Sequence, residues 1–224
     1  MTVNGFIQKL KQKPSEDMFN PWFERDKEHD ALKSAPQIRK KQLKAYLNER
    51  TGRAKVLLIA EALGYQGGHF TGMAMTSERL LLNHLTHKKL TSNDVFRSVE
   101  PQRTTKTSVN EKGMTEPTCT IVWGALKELG INTYDVVLWN AVPWHPYDET
   151  KGMLSNRTPR ADELSAGLEL LPSFKELFPE AKLVAIGRKC EGLMDELGWE
   201  YTGVRHPANG GAPKFRRQIK ELFT

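Results

Sequence analysis

The segment Val56–Glu78, VLLIAEALGYQGGHFTGMAMTSE, sets the tightest limit on what this chain can fold into. Val56–Ala60 is an apolar run of strand length. It passes directly into a loop carrying Glu61, Gly64, Gly67, Gly68 and Gly72. Thr76-Ser77-Glu78 then reads as helix-capping chemistry ahead of the apolar repeat Leu80, Leu81, Leu82 and Leu85. A buried strand feeding such a loop and a helix start puts backbone N–H groups and polar side chains at the carboxyl end of a sheet. Open α/β sheets bind ligands there. A generic α/β crossover, with no ligand, would carry the same pattern. The glycine spacing is neither that of a phosphate loop nor that of a dinucleotide fold, which points away from nucleoside triphosphates and NAD.

Three further strands are predicted: Asp135–Asn140, Lys182–Gly187 and the shorter Glu200–Arg205. Helical stretches separate or follow them at Thr118–Leu129, Arg160–Leu177, Arg188–Leu197 and Ala212–Phe223. Strands alternating with helices imply right-handed crossovers and a parallel sheet covered on both faces. Residues 1–50 are charged and helix-prone, with Phe6, Ile7 and Leu10 at helical spacing, a break at Pro14, and an amphipathic stretch over Pro36–Arg50. They read as an N-terminal helical extension packed on a main body of residues 51–224. Residues 98–117 are polar, a long loop of the kind that is either functional or disordered; Arg103, Lys106 and Lys112 are its candidates for phosphate contact, against the plainer reading of a solvated insertion.

At 224 residues the chain is one large domain, or one domain with an extension, and needs no staples to bury a core. Lys and Arg number 33 against 27 Asp and Glu, a net +6 that suits a polyanionic partner without proving one. The two cysteines, Cys119 and Cys190, are far apart, which argues against a zinc site or a four-cysteine iron–sulfur cluster. A protein without bound metal or other cofactor is expected. No stretch approaches the ~18 apolar residues of a membrane span, and the first twenty residues have no secretory apolar core. The expectation is a cytoplasmic monomer with no membrane partner.

Polar chemistry closes three of the strands. The first ends in Glu61 and the glycine loop, the second in Asn140 followed by Ala-Val-Pro-Trp-His145-Pro, the last in Arg205-His206-Pro207-Ala208-Asn209. In a parallel sheet these ends lie side by side, so a carboxylate, an amide and an imidazole would converge on one cleft. An Asn reads a base edge through one donor and one acceptor. A His donates to an oxygen where negative charge develops, and a Glu orients a water. Each residue also has a plainer reading: Asn140 satisfying backbone groups at a strand end, His206 and His145 as ordinary loop histidines, Glu61 capping the next turn. Together, at three strand ends, they argue for a site.

The ordered set IAEALGYQGGHFTGMAMTSE, LWNAVPWHP and HPANGG resembles the three motifs of the uracil-DNA glycosylase superfamily, and NRTPRADEL, from Asn156, resembles the segment after the middle strand in its iron–sulfur branch. The resemblance covers roughly residues 55–224. It implies a three-layer α/β/α fold on a central four-stranded parallel sheet, and excision of uracil or a related deaminated base from DNA, with a flipped nucleotide. Asn140 falls where the family reads the pyrimidine edge and His206 where a donor stabilises the departing base. Glu61 is the candidate for the water, and backbone N–H groups of the Gly64–Gly68 loop, with Gly64 and Tyr65 as substrate-binding candidates, for the pyrimidine oxygens. Ser77, Asn209, Lys214, Arg216 and Arg217 are the candidates for DNA contact. The chain departs from the pattern at Ala62, in place of an aspartate; at Leu63, in place of a proline; at Met75, where a stacking ring is usual and which Phe70 would have to supply; and at Ala208, in place of a serine. It also lacks the cysteine set of the iron–sulfur branch. A catalytically inactive DNA- or nucleotide-binding protein of the same fold is the alternative these departures favour. An unrelated α/β hydrolase or transferase is a second alternative, for which no nucleophile elbow is present.

Overall fold

The structure is a computed structural model and describes residues 1–223. Along the chain, helix α1 (Val3–Lys9), a two-residue strand β1 (Met18–Phe19) and helix α2 (Ala35–Asn48) precede strand β2 (Val56–Ala62). The short helices α3 (Gly68–Thr71) and α4 (Glu78–Leu81) follow, then α5 (Pro117–Glu128), strand β3 (Val136–Val142) and a two-residue strand β4 (His145–Pro146). The last third is α6 (Ala161–Lys175), β5 (Lys182–Ile186), α7 (Arg188–Glu196), β6 (Thr202–Val204) and α8 (Ala212–Phe223). β2, β3, β5 and β6 form a parallel sheet in the order β3-β2-β5-β6. Helices on both faces make it a three-layer α/β/α sandwich.

The topology assigns helices to faces. The step from β2 to β3 runs in the opposite lateral direction to the step from β3 to β5. Right-handed crossovers therefore put α5 and α6 on opposite faces. Trp139 marks the α6 face: its ring stacks on Phe174 of α6 with centroids 4.5 Å apart. Asn140, the next residue, projects on the α5 face, level with Ala60 of β2. β2 and β3 read as near-continuous apolar runs because both of their faces are buried.

Residues 1–50 pack on the main body and contribute side chains to its core. Phe6 of α1 meets the Trp139 ring edge-on at 5.4 Å, Trp22 stacks on Trp139 at 6.1 Å, and β1 pairs antiparallel with β4. Arg50 is fully buried, and its guanidinium donates to the carbonyls of Tyr46, Val95, Val136, Thr133 and Asp94.

Two expectations need correction. The Leu80–Leu85 repeat forms only the single turn of α4, because Asn83 takes a left-handed conformation at φ 60° and ends it. The 98–117 segment is neither open nor solvated throughout. The buried Glu78 carboxylate accepts from the backbone N–H groups of Thr104 at 2.8 Å, Thr105 at 3.0 Å and Met114 at 3.2 Å. Arg103, a candidate for phosphate contact, spends its donors on the loop's own carbonyls at Thr105, Lys106, Asn110 and Glu111.

α6 lies directly on β3 at Gly167, where an added Cβ would stand 2.5 Å from the Ala141 carbonyl oxygen. Gly167→Ala should therefore lower stability by about 1–3 kcal/mol through overpacking. Urea unfolding measures this; an unchanged midpoint would contradict the contact.

Candidate functional site

A cleft of about 610 Å³ opens at the carboxyl ends of β2, β5 and β6. Its walls are the strand end Ala60–Gly64, the segment Asn156–Pro159, the turn Ile186–Lys189 that starts α7, and Arg205, His206, Ala208 and Asn209 after β6. Carboxyl ends of parallel strands are where open sheets collect ligands.

The loop after β6 is held in shape by its own backbone. Gly211 N–H donates to the Ala208 carbonyl at 3.0 Å, and Asn209 (φ 52°) and Gly210 (φ 74°) between them are both left-handed, as in a type I′ turn. An added Cβ on Gly211 would lie 2.0 Å from the His206 carbonyl oxygen, so glycine is required there. Within this loop Ala208 N–H donates to His206 Nδ1 at 3.1 Å. That bond leaves Nδ1 without a proton and makes Nε2–H the free donor of a neutral ring. Burial lowers the His206 pKa, the Arg205 charge lowers it further, and Glu61 opposes both. The ring is therefore neutral at neutral pH.

Glu61 reaches the cleft from the end of β2 and forms an ion pair with Lys189, at 3.1 Å from Oε1 and 3.2 Å from Oε2. Arg188, Lys189 and Arg205 are exposed around the mouth. Arg188 and Arg205 continue into a neighbouring groove that Lys214 and Gln218 of α8 complete.

Asn140 is not part of the open lining. It is 3 % exposed, level with Ala60, which does line the cleft, and on the same face of the sheet. Its Nδ2 donates to the Ala62 carbonyl at 2.9 Å, while its Oδ1 is buried with no hydrogen-bond partner. Met75 is buried too, left-handed at φ 49°, and its carbonyl accepts from Trp123 Nε1. Gly64 lines the cleft, and the half-buried Tyr65 gives its backbone N–H to Asn156 Oδ1 at 3.0 Å.

Several expected contacts are corrected. Phe70 is fully buried in α3 with its ring on His69 at 4.3 Å, so no ring from this position faces the cleft. Ser77 is fully buried; its hydroxyl accepts from Leu80 N–H as the N-cap of α4 and bonds Cys119 Sγ, which leaves nothing for a phosphate. Arg216 pairs with Glu128 at 3.3 Å and Arg217 with Glu221 at 3.9 Å, and neither lines the cleft, whereas Asn209 does and Lys214 lines the neighbouring groove. Sequence reasoning missed Arg188, Lys189 and Asn156. The end of KLVAIG had the same polar step as the other strand ends and would have found the first two.

His145, read as an ordinary loop histidine, lies in a fully buried chain of hydrogen bonds. Its Nε2 lies 2.7 Å from the Ser155 carbonyl, its Nδ1 lies 2.9 Å from His69 Nδ1, and His69 Nε2 lies 3.0 Å from Asp26 Oδ2. A carbonyl only accepts, so His145 donates from Nε2. Burial pushes its pKa down to about 3, so the ring is neutral and its Nδ1 accepts from His69. The Asp26–His69 contact must then hold one further proton, shared by the pair. Burial alone would raise the Asp26 carboxyl, but the His69 and His29 bonds outweigh it and hold the carboxyl well below the usual range. Ser155 is followed in sequence by Asn156, whose side chain accepts from the Tyr65 backbone N–H at the cleft.

No protein-family model matches the chain, and no curated protein matches it.

His145 is neutral when folded and takes a proton near pH 6.5 when unfolded, so the unfolded state binds more protons below that pH. Stability should then fall as pH drops from 6.5 towards 4.5, by about 1.4 kcal/mol per pH unit for each histidine kept neutral. Urea unfolding across that window tests the sign; stability that is flat or rises on acidification would contradict it.

Proposed function

We propose that this chain hydrolyses the N-glycosidic bond of uracil or a related deaminated base in DNA, as a member of the uracil-DNA glycosylase superfamily. The observation that carries the reading is the meeting of Glu61 and a neutral, Nε2–H-bearing His206 in one cleft, with Asn140 on the next strand, paired in register with the cleft-lining Ala60. Arg188, Lys189, Arg205 and Lys214 around it suit a phosphate backbone.

The chemistry follows from these groups. The base is flipped out of the stack and its edge meets Asn140. The C1′–N bond breaks with its electron pair passing to the base, which becomes anionic, while the sugar carbon becomes cationic. His206 Nε2–H donates to the base oxygen where that charge gathers. A water held by Glu61 adds to C1′, and its proton passes to the carboxylate. The Lys189 ion pair fixes the carboxylate's direction but must leave one oxygen for the water.

One observation favours the second reading, a binding protein without catalysis. Among the described residues that line the cleft the one aromatic ring is the His206 imidazole, and no Phe, Tyr or Trp is there to stack on a flipped base.

Oligonucleotides carrying uracil, hypoxanthine or xanthine, incubated with the protein and cleaved at abasic sites by alkali, separate the two. Excision of at least one base is expected. His206→Ala should reduce the single-turnover rate by about 100–1,000-fold while DNA affinity stays nearly intact. No cleavage at any of the three bases would sink the enzyme reading. The affinity should also fall with salt; Arg205→Gln and Lys214→Gln should each reduce the log–log salt slope by about one, and a flat dependence would point to a small ligand instead.

A further inference from the structure

Among the described residues, four buried side-chain polar atoms have no hydrogen-bond partner, and two of them stand at the carboxyl edge of the sheet on the α5 face. Asn140 Oδ1 is one. Glu116 Oε2 is the other. Glu116 is the residue at which α5 begins, and its side chain makes no capping bond there. α5 returns from the end of β2 to the start of β3, so its first turn stands at the same edge as the cleft. The carboxyl lies against the glycine loop: a Cβ added to Gly67 would come within 2.0 Å of Glu116 Oε2 and 3.2 Å of the Thr76 carbonyl. Each unfilled buried polar group costs about 1–3 kcal/mol, a cost that a ligand supplying the missing partner removes.

We infer that Glu116 is a specificity-determining residue of the proposed site, a neutral carboxylic acid that donates its O–H to a carbonyl on the base while Asn140 Oδ1 accepts the adjacent N–H. An N–H beside a C=O is the lactam edge that deamination creates in uracil, hypoxanthine and xanthine. This inference rests on the proposed function, whose base it specifies.

Burial pushes the Glu116 carboxyl up to about 8, so it holds its proton at neutral pH. Gly67 and Thr76, which meet it from the neighbouring segments, do not titrate. Cys119, one turn along α5, is the titratable neighbour; burial first and the Glu116 charge second push its thiol up to about 12. It stays protonated throughout the range in which Glu116 ionises. An ionised Glu116 would be an acceptor only and would repel a base carbonyl.

The test is single-turnover excision of uracil from pH 6.5 to 9.0, with wild type, Glu116→Gln and Glu116→Leu, together with NMR titration of the same proteins with free uracil. Wild-type kcat/KM should fall about tenfold between pH 7 and pH 9, following one ionisation. Glu116→Gln keeps a donor at every pH and should stay active with that limb removed. Glu116→Leu should lose at least tenfold at every pH while its Tm and DNA affinity hold. Free uracil should shift the Asn140 side-chain amide and raise the midpoint at which the Glu116 carboxyl titrates. An alkaline limb that survives in Glu116→Gln, or full activity in Glu116→Leu, would overturn the inference and leave the excision reading standing. Should wild type excise nothing, the uracil titration decides: shifts at both residues keep the inference as base recognition without catalysis, and unmoved resonances overturn it.

Discussion

The Asp26–His69–His145 chain is the interaction on which the rest of the arrangement depends. It joins the N-terminal segment, the helix after the glycine loop and the strand end beyond Asn140, and none of its three side chains is more than 2 % exposed. A buried ionisable group without a partner is strongly destabilising, so these three must fold together or not at all. Their proton inventory is fixed by one backbone carbonyl, that of Ser155, which can only accept. From Ser155 the chain passes to Asn156, which lines the cleft and holds the Tyr65 backbone. The first fifty residues also meet the cleft wall directly, where Asp17 pairs with Arg157 at 2.9 Å.

That linkage explains the geometry at the cleft. The glycine loop leaves β2, is held by Asn156 at one end, and packs on the Glu116 carboxyl at Gly67. The lining is mixed in charge, with Glu61 bonded to Lys189 and exposed arginines at the rim. His206 is neutral by its bond from Ala208 and by burial. A neutral donor next to a carboxylate, inside a basic rim, is suited to a reaction in which negative charge appears on a leaving group and positive charge on the remaining fragment.

The sheet was legible in the sequence because its strands are buried on both faces and read as apolar runs ending in polar residues. Val56–Ala60, Asp135–Asn140 and Lys182–Gly187 all fall on strands to within two residues. The convergence of Glu61 and His206 followed from that topology alone. What was hidden was anything set by contacts distant in sequence. His69 meets a partner 43 residues before it and another 76 residues after it, and no local pattern marks either. Ser77 reads equally well as a helix cap or as a phosphate contact, and only its burial decides. Glu116 reads in the sequence as one acid in a polar loop, and its approach to Gly67, far earlier in the chain, is visible only in the fold. Phe70 carried the right chemistry for stacking but sits in the core, because α3 turns its ring towards His69.

The most direct measurement of the central claim is a crystal structure with a DNA duplex carrying a 2′-fluorinated uridine, whose electron-poor sugar resists excision and holds the complex before bond cleavage. A flipped uracil is expected in the cleft after β2, β5 and β6. Its lactam edge should face Asn140 and Glu116, its O2 should lie within hydrogen-bond distance of His206 Nε2, and its C1′ should face Glu61. A uracil still stacked in the duplex, or DNA bound on another face with this cleft empty, would contradict it.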